Sequence, residues 1–145
     1  KLSVIALKTV DVKAIGYYTL GKKRKEINPD QLKKYEALFQ KYFLKSFTSR
    51  LTDYSDPKIA VLSAEKSSEK YTIVKTMLLK TDKKPEVKID WRVYTKDPNK
   101  PLIRDLIVEG LSLARTQKEE FASILSSNNN EINVLFNKLE EFINK

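Results

Sequence analysis

Between Val87 and Tyr94 apolar and polar positions alternate without a break: Val87, Ile89, Trp91 and Val93 against Lys88, Asp90, Arg92 and Tyr94. A period of two sends successive side chains to opposite faces of an extended chain, so this segment predicts a strand with one apolar face. Tyr71 to Lys80 alternates too, with Tyr71, Ile73, Met77 and Leu79 together. Lys58 to Ser63 and Leu102 to Val108 are further strand candidates. Ser67-Ser68-Glu69, Asp82-Lys83-Lys84-Pro85 and Asp97-Pro98-Asn99 supply the turns. Consecutive strands joined by such short loops predict an antiparallel meander, and its apolar face needs a cover.

Helical periods lie on both sides of this middle. Lys1 to Leu20 predicts a helix with Val4, Ile5, Val12 and Ile15 inward, ended by Gly21. The second helix has the clearest start. Asn28 can cap it, Pro29 suits the first helical position, and Gln31 stands where a capping-box partner belongs. Leu32, Tyr35, Phe39, Tyr42, Phe43 and Phe47 recur at helical spacing, and Asp56-Pro57 forces an end near Tyr54. After the strands, Thr116 and Glu119 form a Thr-x-x-Glu box, predicting a helix to Ser126 that carries Phe121, Ile124 and Leu125 inward. Asn128-Asn129-Asn130 breaks it, and Glu131 to Asn144 predicts a last helix with Ile132, Leu135, Phe136, Leu139, Phe142 and Ile143 on one stripe. The order helices, sheet, helices gives an α+β fold in one domain spanning residues 1–145.

Composition narrows the chemistry. The 145 residues include no cysteine and no histidine. Thiolate nucleophiles, disulfides and sulfur-ligated metals are excluded, and so are the commonest general base and the commonest zinc ligand. No apolar run approaches the roughly 20 residues that span a bilayer, and no signal peptide is present to read. A net charge of +9 favours anionic partners: nucleic acid, lipid head groups or acidic proteins. The basic residues are densest at Lys22, Lys23, Arg24 and Lys25, which read either as a solvated loop or as an electrostatic docking element. Most aromatics fall on the apolar stripes rather than among the lysines, which argues against base stacking by a nucleic-acid-binding sheet, while Tyr17 and Tyr18 near the basic turn leave some room for it. Asp105 and Glu109 share a strand face and could serve as an acid/base pair. The simpler reading has Asp105 balance Arg104 or Arg92, with Glu109 anchoring the turn.

Three stretches together resemble one family. Asp105 to Phe121 reads DLIVEGLSLARTQKEEF, a strand that turns at Glu109-Gly110 and feeds a helix. Ile15 to Lys25 reads IGYYTLGKKRK, followed by Asn28-Pro29-Asp30-Gln31. Phe39 to Ser55 is an aromatic-rich helix ending in Tyr54-Ser55. Their order and spacing resemble the MlaC family, the toluene-tolerance, ABC-transporter auxiliary proteins of the periplasm. Two local departures stand out. Pro101 and Arg104 occupy the aromatic positions of the usual Trp-x-x-Tyr-Asp, and Lys23 and Arg24 replace an aromatic pair in the basic turn.

The resemblance implies a curved antiparallel sheet of about four strands covered by the terminal helices, cystatin-like or nuclear-transport-factor-like. The family's signal and first helical segment are expected to precede this chain. It also implies a non-enzymatic, monomeric periplasmic carrier whose apolar cavity holds phospholipid as cargo, with no cofactor and no metal. The carrier would shuttle lipid between an outer-membrane lipoprotein complex and an inner-membrane ABC transporter with a hexameric lipid-binding subunit, maintaining outer-membrane lipid asymmetry. On that fold, face arithmetic assigns the cavity lining to Phe39, Phe43, Phe47, Met77, Ile89, Trp91, Val93, Leu113, Phe121 and Leu139. Docking falls to Lys22, Lys23, Arg24 and Lys25. The rival expectation is a filled scaffold of similar fold that meets an acidic protein or nucleic acid through its basic surface.

Overall fold

The computed structural model describes residues 8–51 and 58–145. The chain divides into two compact units, one of Val12–Leu51 with Ala114–Lys145 and one of Lys1–Asp11 with Thr52–Leu113.

The first unit is helical: α1 (Val12–Leu20), α2 (Lys23–Glu26), α3 (Pro29–Leu51), most of α4 (Leu113–Ser126) and α5 (Ile132–Ile143). Its core is built from Tyr35, Phe39, Phe121, Leu125, Ile132, Leu135, Phe136 and Leu139, all buried. The rings interlock. Tyr35 and Phe39 stack with centroids 5.7 Å apart, and Phe121 meets both edge-on at 6.5 and 6.4 Å. Gly16 lets α1 approach α3: a Cβ there would stand 2.9 Å from Cδ2 of Phe39. The one polar pair in this core is satisfied. The Thr19 hydroxyl donates to the Gly16 carbonyl at 2.7 Å and lies 2.6 Å from the Tyr35 hydroxyl. Burial, outweighing the bond to Thr19, raises the Tyr35 pKa well above that of an ordinary phenol.

Helix ends follow local chemistry. Asn28 Oδ1 accepts from the Gln31 amide at 2.8 Å while Gln31 Oε1 accepts from the Asn28 amide at 3.0 Å, the reciprocal box the sequence predicts. Lys45 Nζ donates to the carbonyls of Phe142 and Ile143, closing the last turn of α5. Asn129 and Asn130 take left-handed φ values of 57° and 58°, and the Asn130 amide bonds back to Leu125, stopping α4 as the triple Asn predicts.

Three helix boundaries differ from the sequence reading. The first helix does not run unbroken to Leu20, because Val10 pairs with Ile103 in a parallel bridge and the Asp11 amide donates to the Ile103 carbonyl. Tertiary pairing overrides helical propensity there; the expected Val4 and Ile5 lie outside the described residues. Helix α4 begins at Leu113, not Thr116, and Glu119 pairs with Arg115 at 3.2 Å on the helix surface. Lys23–Glu26 forms a helical turn of its own where a loop or fraying end is expected. The expected end of α3 near Tyr54 also lies outside the described residues.

The second unit holds β1 (Ile59–Lys66), β2 (Tyr71–Leu78), β3 (Val87–Tyr94), β4 (Leu102–Val108) and β5 (Leu111–Ser112). They form one sheet in chain order, every neighbouring pair antiparallel. The meander is as predicted, with one strand more than expected. Glu109 and Gly110 both have positive φ, 50° and 81°, which turns the chain in two residues and brings Leu111 back onto Val108. Glu109 fastens this corner, its Oε1 accepting from the Lys88 amide at 2.7 Å. Asp105 accepts from the Ser112 hydroxyl and from the Leu106 amide.

Candidate functional site

Strand register decides which side chains share a face. Val74 pairs with Trp91, Thr76 with Ile89, Leu78 with Val87, and on the next strand Leu106 with Trp91 and Val108 with Ile89. Paired residues project to the same side of a sheet. One face is therefore a continuous apolar surface running from Leu78 and Val87 to Val93, with Trp91 near its centre.

Only Thr76 and Leu78 of this surface are buried; Val74, Val87, Ile89, Trp91, Val93, Leu106 and Val108 are all intermediate in exposure. Its polar atoms are matched internally. The Trp91 indole N–H donates to Thr76 Oγ1 at 2.9 Å, and the Thr76 hydroxyl donates to the Ile89 carbonyl at 2.7 Å. The indole therefore lies in an apolar surface with its single donor satisfied, so this surface makes no demand for water at its centre.

The opposite face carries the arginines, set against aromatic rings. Arg92 lies 3.9 Å from the Tyr71 ring centroid and Arg104 lies 4.1 Å from that of Tyr94. Arg104 also pairs with Asp11 at 3.0 Å and donates to the Tyr71 hydroxyl at 3.0 Å. Burial lowers the Arg104 pKa, but Tyr71 and Asp11 outweigh it, so the net shift is upward. Arg104 thus ties residues 10–11 to the sheet, where the sequence reading offered either Arg104 or Arg92 as the partner of Asp105. With Glu109 holding the β4–β5 corner and Asp105 engaged by Ser112, both carboxylates have structural roles.

The predicted lining residues fall into separate groups. Ile89, Trp91 and Val93 share the apolar sheet face. Met77 does not: it pairs with Lys88 and Ala60, and Ile73 pairs with Arg92, so both lie on the face of Tyr94 and Arg92. Alternation fixes faces within a strand, whereas register fixes them between strands, and a shift of one residue exchanges the two sets. Phe39, Phe121 and Leu139 belong to the helical core with exposures of 3%, 2% and 2%. Phe43 and Phe47, further along α3, are half-buried and stack with an interplanar angle of 12° at 5.8 Å. Leu113, half-buried, opens α4. The sequence reading missed Val74, Leu78, Leu106 and the Thr76–Trp91 bond. The alternation of β2 contained the first two, but its other set, Tyr71, Ile73 and Met77, looked equally apolar.

Among the described residues, two of the hollows lie within the helical unit. One of about 110 Å³ is lined by residues including Val12, Gly16, Tyr35 and Phe39. It falls below the roughly 300 Å³ of a typical small-molecule site. The other, an open depression of about 430 Å³, is lined by Ala14, Tyr17, Tyr18, Gly21, Arg24, Lys25 and Lys118. Of the predicted docking residues, Arg24 and Lys25 line it, while Lys23 pairs with Glu26 at 3.8 Å. Among the described residues no group of three or more acidic residues is placed to hold a metal ion, and no helix is long and apolar enough to cross a membrane.

No curated protein matches the chain. A solved structure of the phospholipid-binding protein from Ralstonia solanacearum, in complex with a phospholipid, superposes with a TM-score of 0.78 at 20% sequence identity. The match covers 94% of this chain and 75% of that one, and supports the α+β fold with its antiparallel sheet. The family model described as MlaC protein matches residues 1–141. With nearly its whole length matched in this way, the chain belongs to the MlaC family.

Proposed function

We propose that this protein is a non-enzymatic phospholipid carrier and that acyl chains rest on the apolar face of its sheet. The observation that carries the reading is the exposure of that face: a contiguous Val, Ile, Leu and Trp surface that is only half-buried. Contiguous apolar surface left partly open to solvent marks a place where another apolar body belongs. Membership of the family and the phospholipid bound to the Ralstonia solanacearum protein support phospholipid as that body. Ile89, Trp91 and Val93 are the contacts from the predicted set, joined by Val74 and Leu106. In the helical unit, the stacked pair Phe43 and Phe47 offers a second, smaller apolar surface.

Physical magnitudes shape how such a carrier works. Two acyl chains hold roughly 30 methylenes, each worth about 0.8 kcal/mol on leaving water. The sum, on the order of 24 kcal/mol, exceeds the net affinity of any known complex in water. Lipid therefore does not leave through water at a useful rate. It passes from one apolar environment to another at a docked partner, and near-neutral exchange needs no catalysis. The partners in this reading are an outer-membrane lipoprotein complex and an inner-membrane ABC transporter with a hexameric lipid-binding subunit, and the place is the periplasm. Lys22, Lys23, Arg24 and Lys25 serve docking by long-range attraction to acidic or anionic surfaces.

Denaturing mass spectrometry of protein extracted from its host tests the reading. Phospholipid near one equivalent is expected, and Trp91→Glu is expected to remove it by placing a charge in the apolar face while the fold persists. Phe43→Glu tests the smaller surface in the same way. Unchanged lipid content in folded Trp91→Glu protein would sink the assignment.

A further inference from the structure

Two helices bring cations to one depression in the helical unit, and a third brings aromatic rings. Arg24 and Lys25 come from α2, Lys118 from α4, and the rings of Tyr17 and Tyr18 from α1. The cations are held in place. The Arg24 guanidinium lies 4.0 Å from the centroid of the Tyr17 ring, and the Lys118 ammonium 4.8 Å from that of Tyr18. Gly21, at φ +58°, leaves the space that the Lys118 stem crosses: a Cβ there would stand 3.2 Å from its Cε.

No carboxylate lines this depression. The acidic residues beside it are turned elsewhere. Glu26 pairs with Lys23, Glu119 with Arg115, and Glu120 accepts from Gln117. Among the described residues, none pairs with Arg24, Lys25 or Lys118. Three like charges converging on a concave surface focus a positive potential and repel one another until an anion enters. A guanidinium fork beside two ammonium groups suits the several oxygens of a phosphoryl group. The volume of about 430 Å³ exceeds what a bare ion needs, leaving room for an esterified group against the tyrosine rings.

We propose that this depression binds a phosphoryl group, carried either by a soluble phosphate ester or by a lipid head group at a bilayer surface. The site deepens the docking role assigned to the basic turn and rests on it only through Arg24 and Lys25. It is separate from the residues that hold the acyl chains.

The test uses the full chain in two arms. Glycerol 3-phosphate is titrated by calorimetry. Co-sedimentation is measured with phosphatidylcholine vesicles with and without phosphatidylglycerol. Binding in the first arm assigns a soluble ester, and binding only to the anionic vesicles assigns a head group; either supports the site. Lys118→Gln and Arg24→Gln are each expected to weaken binding roughly tenfold, the scale of one charge-assisted hydrogen bond. Lys138→Gln, exposed on α5 and outside the lining, is expected to change it less than about twofold, in keeping with a screened surface charge. Circular dichroism melts check that each variant is folded. Binding to neither probe overturns the proposal, and so does retention on polyglutamate alone, which would assign an acidic protein segment instead. Anionic-vesicle binding that falls with Lys22→Gln but not with Lys118→Gln also overturns it, while leaving electrostatic docking by the turn intact. Lipid content by mass spectrometry reports on the cargo reading independently.

Discussion

The two units handle apolar surface in opposite ways. In the helical unit the large side chains are spent on one another: Tyr35, Phe39, Phe121, Leu135, Phe136 and Leu139 are all buried. In the sheet unit Val74, Val87, Ile89, Trp91, Val93, Leu106 and Val108 on the apolar face remain half-buried, and the Trp91 and Thr76 donors of that face are satisfied within the sheet itself. Backbone ladders and the Arg104–Asp11–Tyr71 cluster on the other face hold the sheet together instead. A filled core gives stability, whereas a half-buried apolar face leaves free energy available to a ligand. The difference suggests that substitutions in the first unit act mainly on folding and those in the second mainly on cargo.

Paired truncations put that division under the largest strain. Phe39→Ala removes a ring that touches four others, and such a change costs about 3–5 kcal/mol. Ile89→Ala, on the half-buried face, is expected to cost about 1–2 kcal/mol in lipid-free protein, because less of its surface leaves water on folding. Urea denaturation of delipidated protein measures both. Equal losses would erase the contrast. Gly16→Ala comes next. Its methyl would collide with Phe39, and overpacking of this kind costs about 1–3 kcal/mol. The intrinsic preference of a helix for Ala over Gly offsets up to about 1 kcal/mol of that. Net destabilisation by the same assay is expected, and a stabilised variant would mean that the two helices have slack to part.

How much of this was legible in the chain depended on whether the deciding interaction was local. The Asn28–Gln31 box, the stop at Asn128 to Asn130 and the alternation of β3 are written within a few residues of each other, and each appears as read. What failed required knowledge of a distant partner. Val10 leaves helical geometry because Ile103 is available to pair with it, ninety-three positions away in the chain. Helix α4 starts early because Ser112 has already been placed by its pairing with Ile107. Met77 falls on the other face from Ile89 because the face depends on whether Lys88 or Ile89 stands opposite, and no pattern inside β2 contains that choice. The expected lining set divides for the same reason: Phe39 and Phe43 sit one helical turn apart on the same stripe, yet one is buried among rings and the other half-buried.

The smallest effect concerns Tyr35, an ionisable group enclosed in the helical core. Burial holds the Tyr35 pKa far above the ordinary phenol value of about 10, with Thr19 only partly opposing the rise. In the unfolded chain this tyrosine ionises near pH 10, so above that pH the unfolded state has released a proton that the native state retains. Stability contributed by Tyr35 is complete below pH 10 and falls as pH rises further, at most about 1.4 kcal/mol per pH unit. The informative quantity is the difference between the native chain and Tyr35→Phe, which isolates this one hydroxyl. The variant forgoes the Thr19 bond, worth roughly 1 kcal/mol, and is expected to be the less stable protein at neutral pH. Its deficit is expected to shrink, and then reverse, as denaturation is followed from pH 9 to pH 11. Parallel pH profiles for the two proteins would mean that water reaches the Tyr35 hydroxyl, and that the helical core is less completely closed than its interlocked rings imply.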